Sequence, residues 1–167
     1  MIKPFRIPTD PVVMSYIAGI FDGEAYIGVT RQKAAKSGGK RRNDFYSLMI
    51  QVKATDKRMT DYLLEHVGGY YRTENRRTIN GKLVHNWAID GDRASSLLLA
   101  IRPYLVCKRD QADIGIRFRG SFGPIYCKSG TPRSVVEFRH ECYERLKEIH
   151  GQHSGKARGP VPVRLVS

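Results

Sequence analysis

Apolar and polar positions alternate between two periods along the chain, and each change of period marks an element. Thr9-Asp10-Pro11 reads as a helix start, because Asp can cap exposed amides and a proline at the first helical position has no amide to lose. Val13, Tyr16, Ile17 and Ile20 then share one helical face. From Glu24 the apolar positions recur every second residue to about Lys33, and again over residues 45–53, which predicts two strands. Thr55 or Asp56 can start a second helix with Met59, Leu63 and Val67 on its buried side, and Gly68-Gly69 can stop it. Residues 70–89 alternate on both sides of Asn80-Gly81, a strong hairpin signal. A third helix starts near Asp92 or Arg93, buries Ala94, Leu97, Leu98 and Ile101, and ends before Pro103. A fourth runs from about Arg109 to Arg119 and ends at Gly120. After Thr131-Pro132, the residues Val135, Phe138, Cys142, Leu146 and Ile149 stand at helical spacing.

This order of helix, hairpin, helix, hairpin, helix, helix predicts an α+β fold. Four antiparallel strands form a sheet with one face covered by helices and the other open, and an extra C-terminal helix follows. The expected organisation is a core over residues 1–120, a helical extension over 121–150 and a flexible basic tail over 151–167. The strand pattern puts Gly28, Thr30, Gln32, Gln51, Lys53, Arg72 and Glu74 on the open face. Such a polar, basic, aromatic-poor surface suits a duplex groove, where Gln, Lys and Arg match base edges. The plainer alternative is a solvated sheet face.

Charge sharpens that choice. The 167 residues carry 29 Lys+Arg against 16 Asp+Glu, a net +13, which suits a polyanionic partner. The segment "RQKAAKSGGKRRN" (residues 31–43) holds six basic residues and no acid. Lys33, Lys40, Arg41 and Arg42 there, with Arg76, Arg77 and Lys82 in the second hairpin, are expected on phosphates. Apolar residues at 41% and charged residues at 27% are ordinary globular values. No apolar run reaches membrane-spanning length and the N-terminus lacks an apolar signal core, so the expectation is no membrane and an intracellular setting, a prokaryotic cytoplasm or an organelle interior. Cys107, Cys127 and Cys142 are odd in number and widely spaced, which fits reduced thiols. No Cys-x-x-Cys occurs, and His150 and His153 lack partners at zinc spacing.

Candidate chemistry gathers in "SYIAGIFDGEAYIGV", residues 15–29. Ala18, Gly19 and Gly23 are small residues at helical spacing, which lets two helix backbones approach closely. Asp22 and Glu24 sit at the C-terminal end of that helix, where the macrodipole disfavours carboxylates unless a cation is present. A divalent metal removes the conflict. Glu24 and the Gly23 carbonyl, with waters, are the hard-oxygen donors Mg²⁺ prefers.

The run "YIAGIFDGEA" resembles the LAGLIDADG motif of homing endonucleases, with residues 17–25 covering its nine positions. The likeness extends over about residues 9–120, and the order αββαββαα is that family's fold. The resemblance implies that Glu24, the motif's last acid, binds a catalytic Mg²⁺ or Mn²⁺. A single motif implies a homodimer in which two motif helices pack together, with Ala18, Gly19 and Asp22 at the interface. The implied substrate is a long, roughly palindromic double-stranded DNA site, cut in both strands to leave staggered ends. "IQVKATDKR" and "RPYLVCKRDQA" resemble segments of the homodimeric branch and put Arg58 and Lys108 near the cleavage centre, where a cation stabilises charge on the phosphate. Thr30, Gln32, Gln51 and Arg72 fall where that branch reads base edges. Ala54 departs from the pattern, standing where relatives often hold a polar residue near active-site solvent. An intron RNA maturase, a non-catalytic DNA-binding regulator and a basic structural protein are the alternatives.

Overall fold

The computed structural model describes residues 1–33, 44–74, 83–122 and 131–153. Helix α1 (Pro11–Glu24) begins as its sequence predicts, with Asp10 accepting a hydrogen bond from the Val12 amide at 2.8 Å and proline in the first turn. It buries Ile17, Ala18, Ile20 and Phe21. Tyr16 departs from the expected face and lies exposed, its ring edge-on to Tyr62 at 4.8 Å.

Strand β2 (Ala25–Gln32) continues directly from α1 and pairs antiparallel with β3 (Phe45–Ala54), Ala25 opposite Val52 and Gln32 opposite Phe45. Helix α2 (Lys57–His66) follows, capped by Asp56 through the Arg58 amide at 2.9 Å. The second hairpin is β4 (Gly69–Glu74) and β5 (Val84–Asp90). Helix α3 (Gly91–Ile101) starts earlier than its apolar pattern indicates, and a 3-10 turn (Arg102–Tyr104) leads to α4 (Arg109–Gly120).

The sheet has five strands in the order β1-β4-β5-β3-β2. The additional strand β1 (Ile2–Lys3) pairs Ile2 with Tyr70 and Lys3 with Gly69, and two residues are too few to show a period. It is fixed by the N-terminal ammonium on the Tyr71 carbonyl at 2.8 Å and by the Arg6 amide on the Val67 carbonyl at 2.9 Å. The chain passes there only because Gly68 and Gly69 take φ of 79° and 97°; a Cβ on Gly68 would lie 1.9 Å from the Pro4 carbonyl oxygen.

One sheet face carries Ile27, Val29, Leu48, Ile50, Val52, Trp87 and Ile89 into the core, under the helices. The Trp87 indole N–H donates to the Gly68 carbonyl at 2.7 Å, so the largest core side chain has its one polar atom satisfied. Helix α5 (Arg133–His153) buries Cys142 and Leu146 in this same core. Its His140 Nδ1 lies 3.1 Å from the Tyr46 hydroxyl of β3, and Arg139 donates to the Ser121 carbonyl at the end of α4 at 3.1 Å. The C-terminal helix is therefore packed into the core rather than appended to it. The tail beyond residue 153, and Cys127, lie outside the described residues; Cys107 and Cys142 are free. No helix among the described residues is long and apolar enough to cross a membrane.

Candidate functional site

The junction of α1 and β2 resolves the problem of acids at a helix C-terminus. Lys108, which precedes α4, sends its ammonium to the Phe21 carbonyl at 2.8 Å and the Ala25 carbonyl at 2.6 Å. A cation thus occupies the negative end of α1. In return, the Asp22 carboxylate accepts from the amides of Val106, Cys107 and Lys108 at 2.8, 3.1 and 2.9 Å, the donors that lead into α4. The end of α1 and the segment leading into α4, far apart in sequence, are therefore tied to each other in both directions. Burial lowers the Lys108 pKa, while the Asp22 and Glu24 carboxylates oppose that shift.

This pairing changes the reading of three residues. Asp22 uses both carboxylate oxygens within its own chain, which makes it part of the junction. Ala18 is fully buried on the core side of α1, away from the exposed face that carries Gly19 and Gly23; a small residue suits either environment. Lys108 has its Nζ on two backbone carbonyls, which ties the last turn of α1 to the start of β2.

What remains exposed at the end of α1 is Gly23 and Glu24, and the Glu24 carboxylate makes no hydrogen bond or ion pair among the described residues. Because Ala25 pairs with Val52, the next residue on the neighbouring strand beside Glu24 is Lys53. Gly19 and Gly23 lie on the exposed side of α1 with nothing within 4 Å of where a Cβ would stand. Val12, Ser15 and Tyr16 share that side, so the glycine notches are bordered by two larger exposed side chains, Val12 and Tyr16. No group of three or more His, Cys, Asp or Glu able to hold a metal occurs among the described residues. One carboxylate and one carbonyl are hard-oxygen donors that fit a divalent cation, but only as part of a shell completed from outside the chain.

The open sheet face runs in rows. Tyr26, Gln51, Ala88 and Tyr70 form one row, and Lys53, Asn86 and Arg72 form the next. Thr30 pairs with Ser47 and donates to its carbonyl at 3.3 Å, and Gln32 and Lys33 lie exposed at the far end. Two expectations change. Gly28 is buried, because the Tyr26 ring lies over it and a Cβ there would sit 2.5 Å from that ring, so Gly28 offers no surface to a groove. The face is also not aromatic-poor, since Tyr26, Phe45 and Tyr70 are all exposed on it. Tyr26 further stacks on His150 of α5 with ring centroids 4.5 Å apart.

Glu74 is not a lone surface acid. Its Oε1 accepts from Asn86 at 2.8 Å and from Lys53 at 2.9 Å, with Arg72 at 3.6 Å, and these donors hold its carboxyl below the usual carboxylate range, Lys53 most. Arg58 is almost fully exposed at the start of α2 and forms a two-pronged pair with Asp56 at 2.6 to 3.1 Å. That pair and the Arg58 amide hold the Asp56 carboxyl at a pKa of about 2. Lys40, Arg41, Arg42, Arg76, Arg77 and Lys82 lie outside the described residues.

No family model matches the chain, and no curated protein matches it. Solved structures do. I-CvuI, a homing endonuclease in complex with the I-CreI target in the presence of 2 mM Mg with the DNA not cleaved, is similar at a TM-score of 0.57 and 14% identity. That match covers 81% of this chain and 95% of I-CvuI. I-SmaMI bound to an uncleaved DNA target in the presence of calcium ions gives 0.62 at 13% identity, over 89% of this chain and 50% of that one. I-LtrWI, a LAGLIDADG homing endonuclease bound to target DNA, gives 0.55 at 14%, over 86% and 46%. At these identities the likeness is one of fold: the α+β architecture with a five-stranded antiparallel sheet is the LAGLIDADG endonuclease fold.

Proposed function

We propose that this chain is a homodimeric, site-specific DNA endonuclease that hydrolyses one phosphodiester in each strand of a roughly palindromic site with a divalent metal. The observation that carries the reading is Glu24: an unpaired carboxylate at the end of a helix whose exposed face is notched by glycine, beside an open sheet face bearing Gln51, Lys53 and Arg72. The fold supports it, since I-CvuI and I-LtrWI are homing endonucleases in complex with target DNA and I-SmaMI is bound to an uncleaved DNA target. The lengths support the dimer. This chain spans nearly all of I-CvuI and about half of I-SmaMI and I-LtrWI, so two copies match one of the longer neighbours.

In this reading the face of Val12, Ser15, Tyr16, Gly19 and Gly23 meets its equivalent in a second copy, and the two Glu24 carboxylates come to neighbouring phosphates across the two-fold axis. Glu24 and the Gly23 carbonyl would hold Mg²⁺ or Mn²⁺, which when bound supplies an acidified water and neutralises charge on the phosphate and the leaving oxygen. Lys108 fixes the height of Glu24 by tying the last turn of α1 to the start of β2. Arg58 stands at the margin, held by Asp56, and contacts a phosphate. Thr30, Gln32, Gln51 and Arg72 read base edges, while Lys33 and Lys53 and the basic residues of the two hairpin loops hold the backbone. Affinity then falls steeply with salt.

The test is incubation of the purified chain and Mg²⁺ with a randomised duplex library, followed by sequencing of the cut ends. Staggered cuts centred on a pseudo-palindrome are expected. Duplexes bound in a salt-dependent way but never cut would move the chain to a non-catalytic DNA-binding role.

A further inference from the structure

The four side chains Lys53, Arg72, Glu74 and Asn86 form a network on the open face that a base-edge contact by Arg72 and a backbone contact by Lys53 do not explain. Lys53 on β3, Asn86 on β5, and Arg72 and Glu74 on β4 stand side by side on three adjacent strands; Asn86 and Lys53 reach Glu74 Oε1 at 2.8 and 2.9 Å, and Arg72 lies 3.6 Å from it. No hydrogen bond to Oε2 is made among the described residues. The Glu74 side chain is only 18% exposed, while that of Arg72 beside it is 71% exposed. Beneath them Asn86 is buried to 2% exposure with its Oδ1 unsatisfied. A buried acceptor left without a donor is a cost that native structures keep at places where the arrangement is completed by something else. A face meant only to attract phosphate has no use for a fixed carboxylate that neutralises one of its cations.

Resting on the endonuclease reading, we propose that Glu74 is a specificity-determining residue. Its free oxygen accepts the N4 amino group of a cytosine in the major groove, while Arg72 beside it donates to the guanine O6 and N7. An acceptor-only carboxylate matches cytosine and is repelled by the guanine acceptors in the reversed pair, so the two side chains fix a C·G pair and its orientation. Asn86 and Lys53 hold the reading oxygen in place. The same carboxylate keeps Lys53 and Arg72 from binding any phosphate within reach and so lowers affinity for unrelated DNA.

The experiment is equilibrium binding of a randomised duplex pool in Ca²⁺, with sequencing of the retained fraction, for the wild type, Glu74→Gln and Glu74→Asp. Each variant's affinity for a random-sequence duplex is also measured across salt, and its melting temperature reads folding. The wild type should enrich one C·G pair at the same place in both half-sites. Glu74→Gln should lose that preference by about 5- to 150-fold, and Glu74→Asp, which keeps the charge but not the reach, should lose it as well. Glu74→Gln should also bind random duplex more tightly, with a log–log salt slope steeper by about one to two, whereas Glu74→Asp should keep the wild-type slope. Identical enriched sequences and identical slopes in wild type and Glu74→Gln would overturn the assignment and leave the endonuclease reading standing. A wild type that binds no duplex would overturn both.

Discussion

Replacing Asp22 by Ala removes the acceptor for three backbone amides at once, those of Val106, Cys107 and Lys108. A hydrogen bond to a charged group contributes about 1.5 to 3 kcal/mol. The three bonds share one carboxylate and are not additive, and the site is only half-buried, so the expected loss is about 2 to 4 kcal/mol. For a chain of this size that corresponds to about 5 to 12 °C in melting temperature. Asp22→Asn keeps one acceptor oxygen and should lose less. Lys108 caps the opposite helix end of the same junction, so Asp22→Ala combined with Lys108→Met should cost less than the two single losses together. Urea and thermal unfolding give the energies, and amide exchange at residues 106–108 gives the location. An Asp22→Ala protein melting within about 1 °C of the wild type would refute the reciprocal tie between the end of α1 and residues 106–108.

Two further outcomes follow from other contacts. The Asp56 carboxyl, lowered to about 2 by Arg58, stabilises the fold above its ordinary 3.8 and loses that contribution as pH falls through about 2; carboxyl NMR should give that midpoint, and Arg58→Met should raise it. A wild-type midpoint near 3.8 would contradict the pairing. Gly19→Ala fills open space on an exposed helix face, so the isolated protomer should gain up to about 1 kcal/mol while self-association weakens. Sedimentation and dilution-dependent unfolding separate the two effects, and unchanged association would remove α1 as the proposed interface.

The order of the helices and of the four longer strands was legible because each buries a run long enough to show its period. The two-residue strand β1 has no period and is fixed by Gly68-Gly69 and by carbonyls about 70 residues away. The site was legible only in part. The sequence places two acids at the end of α1 and poses the question of a compensating cation, but Lys108 lies 87 residues from Phe21, beyond any local pattern. Ala18 and Gly19 both fit a close helix crossing on composition, and only the direction of the core separates them. The covering of Gly28 by Tyr26 could have been read from two same-face residues on one strand. Glu74, by contrast, acquires its partners across three strands, so its role depends on register.

The central claim is that Glu24 carries the chemistry and little of the folding or the grip on DNA. Cleavage and binding of a selected duplex by wild type and Glu24→Gln, measured side by side in Mg²⁺ and in Ca²⁺, test it most directly. Glu24→Gln should keep its melting temperature and bind the duplex in Ca²⁺ within a few-fold of wild type, while cutting in Mg²⁺ is abolished. A Glu24→Gln protein that still cuts both strands would contradict the account.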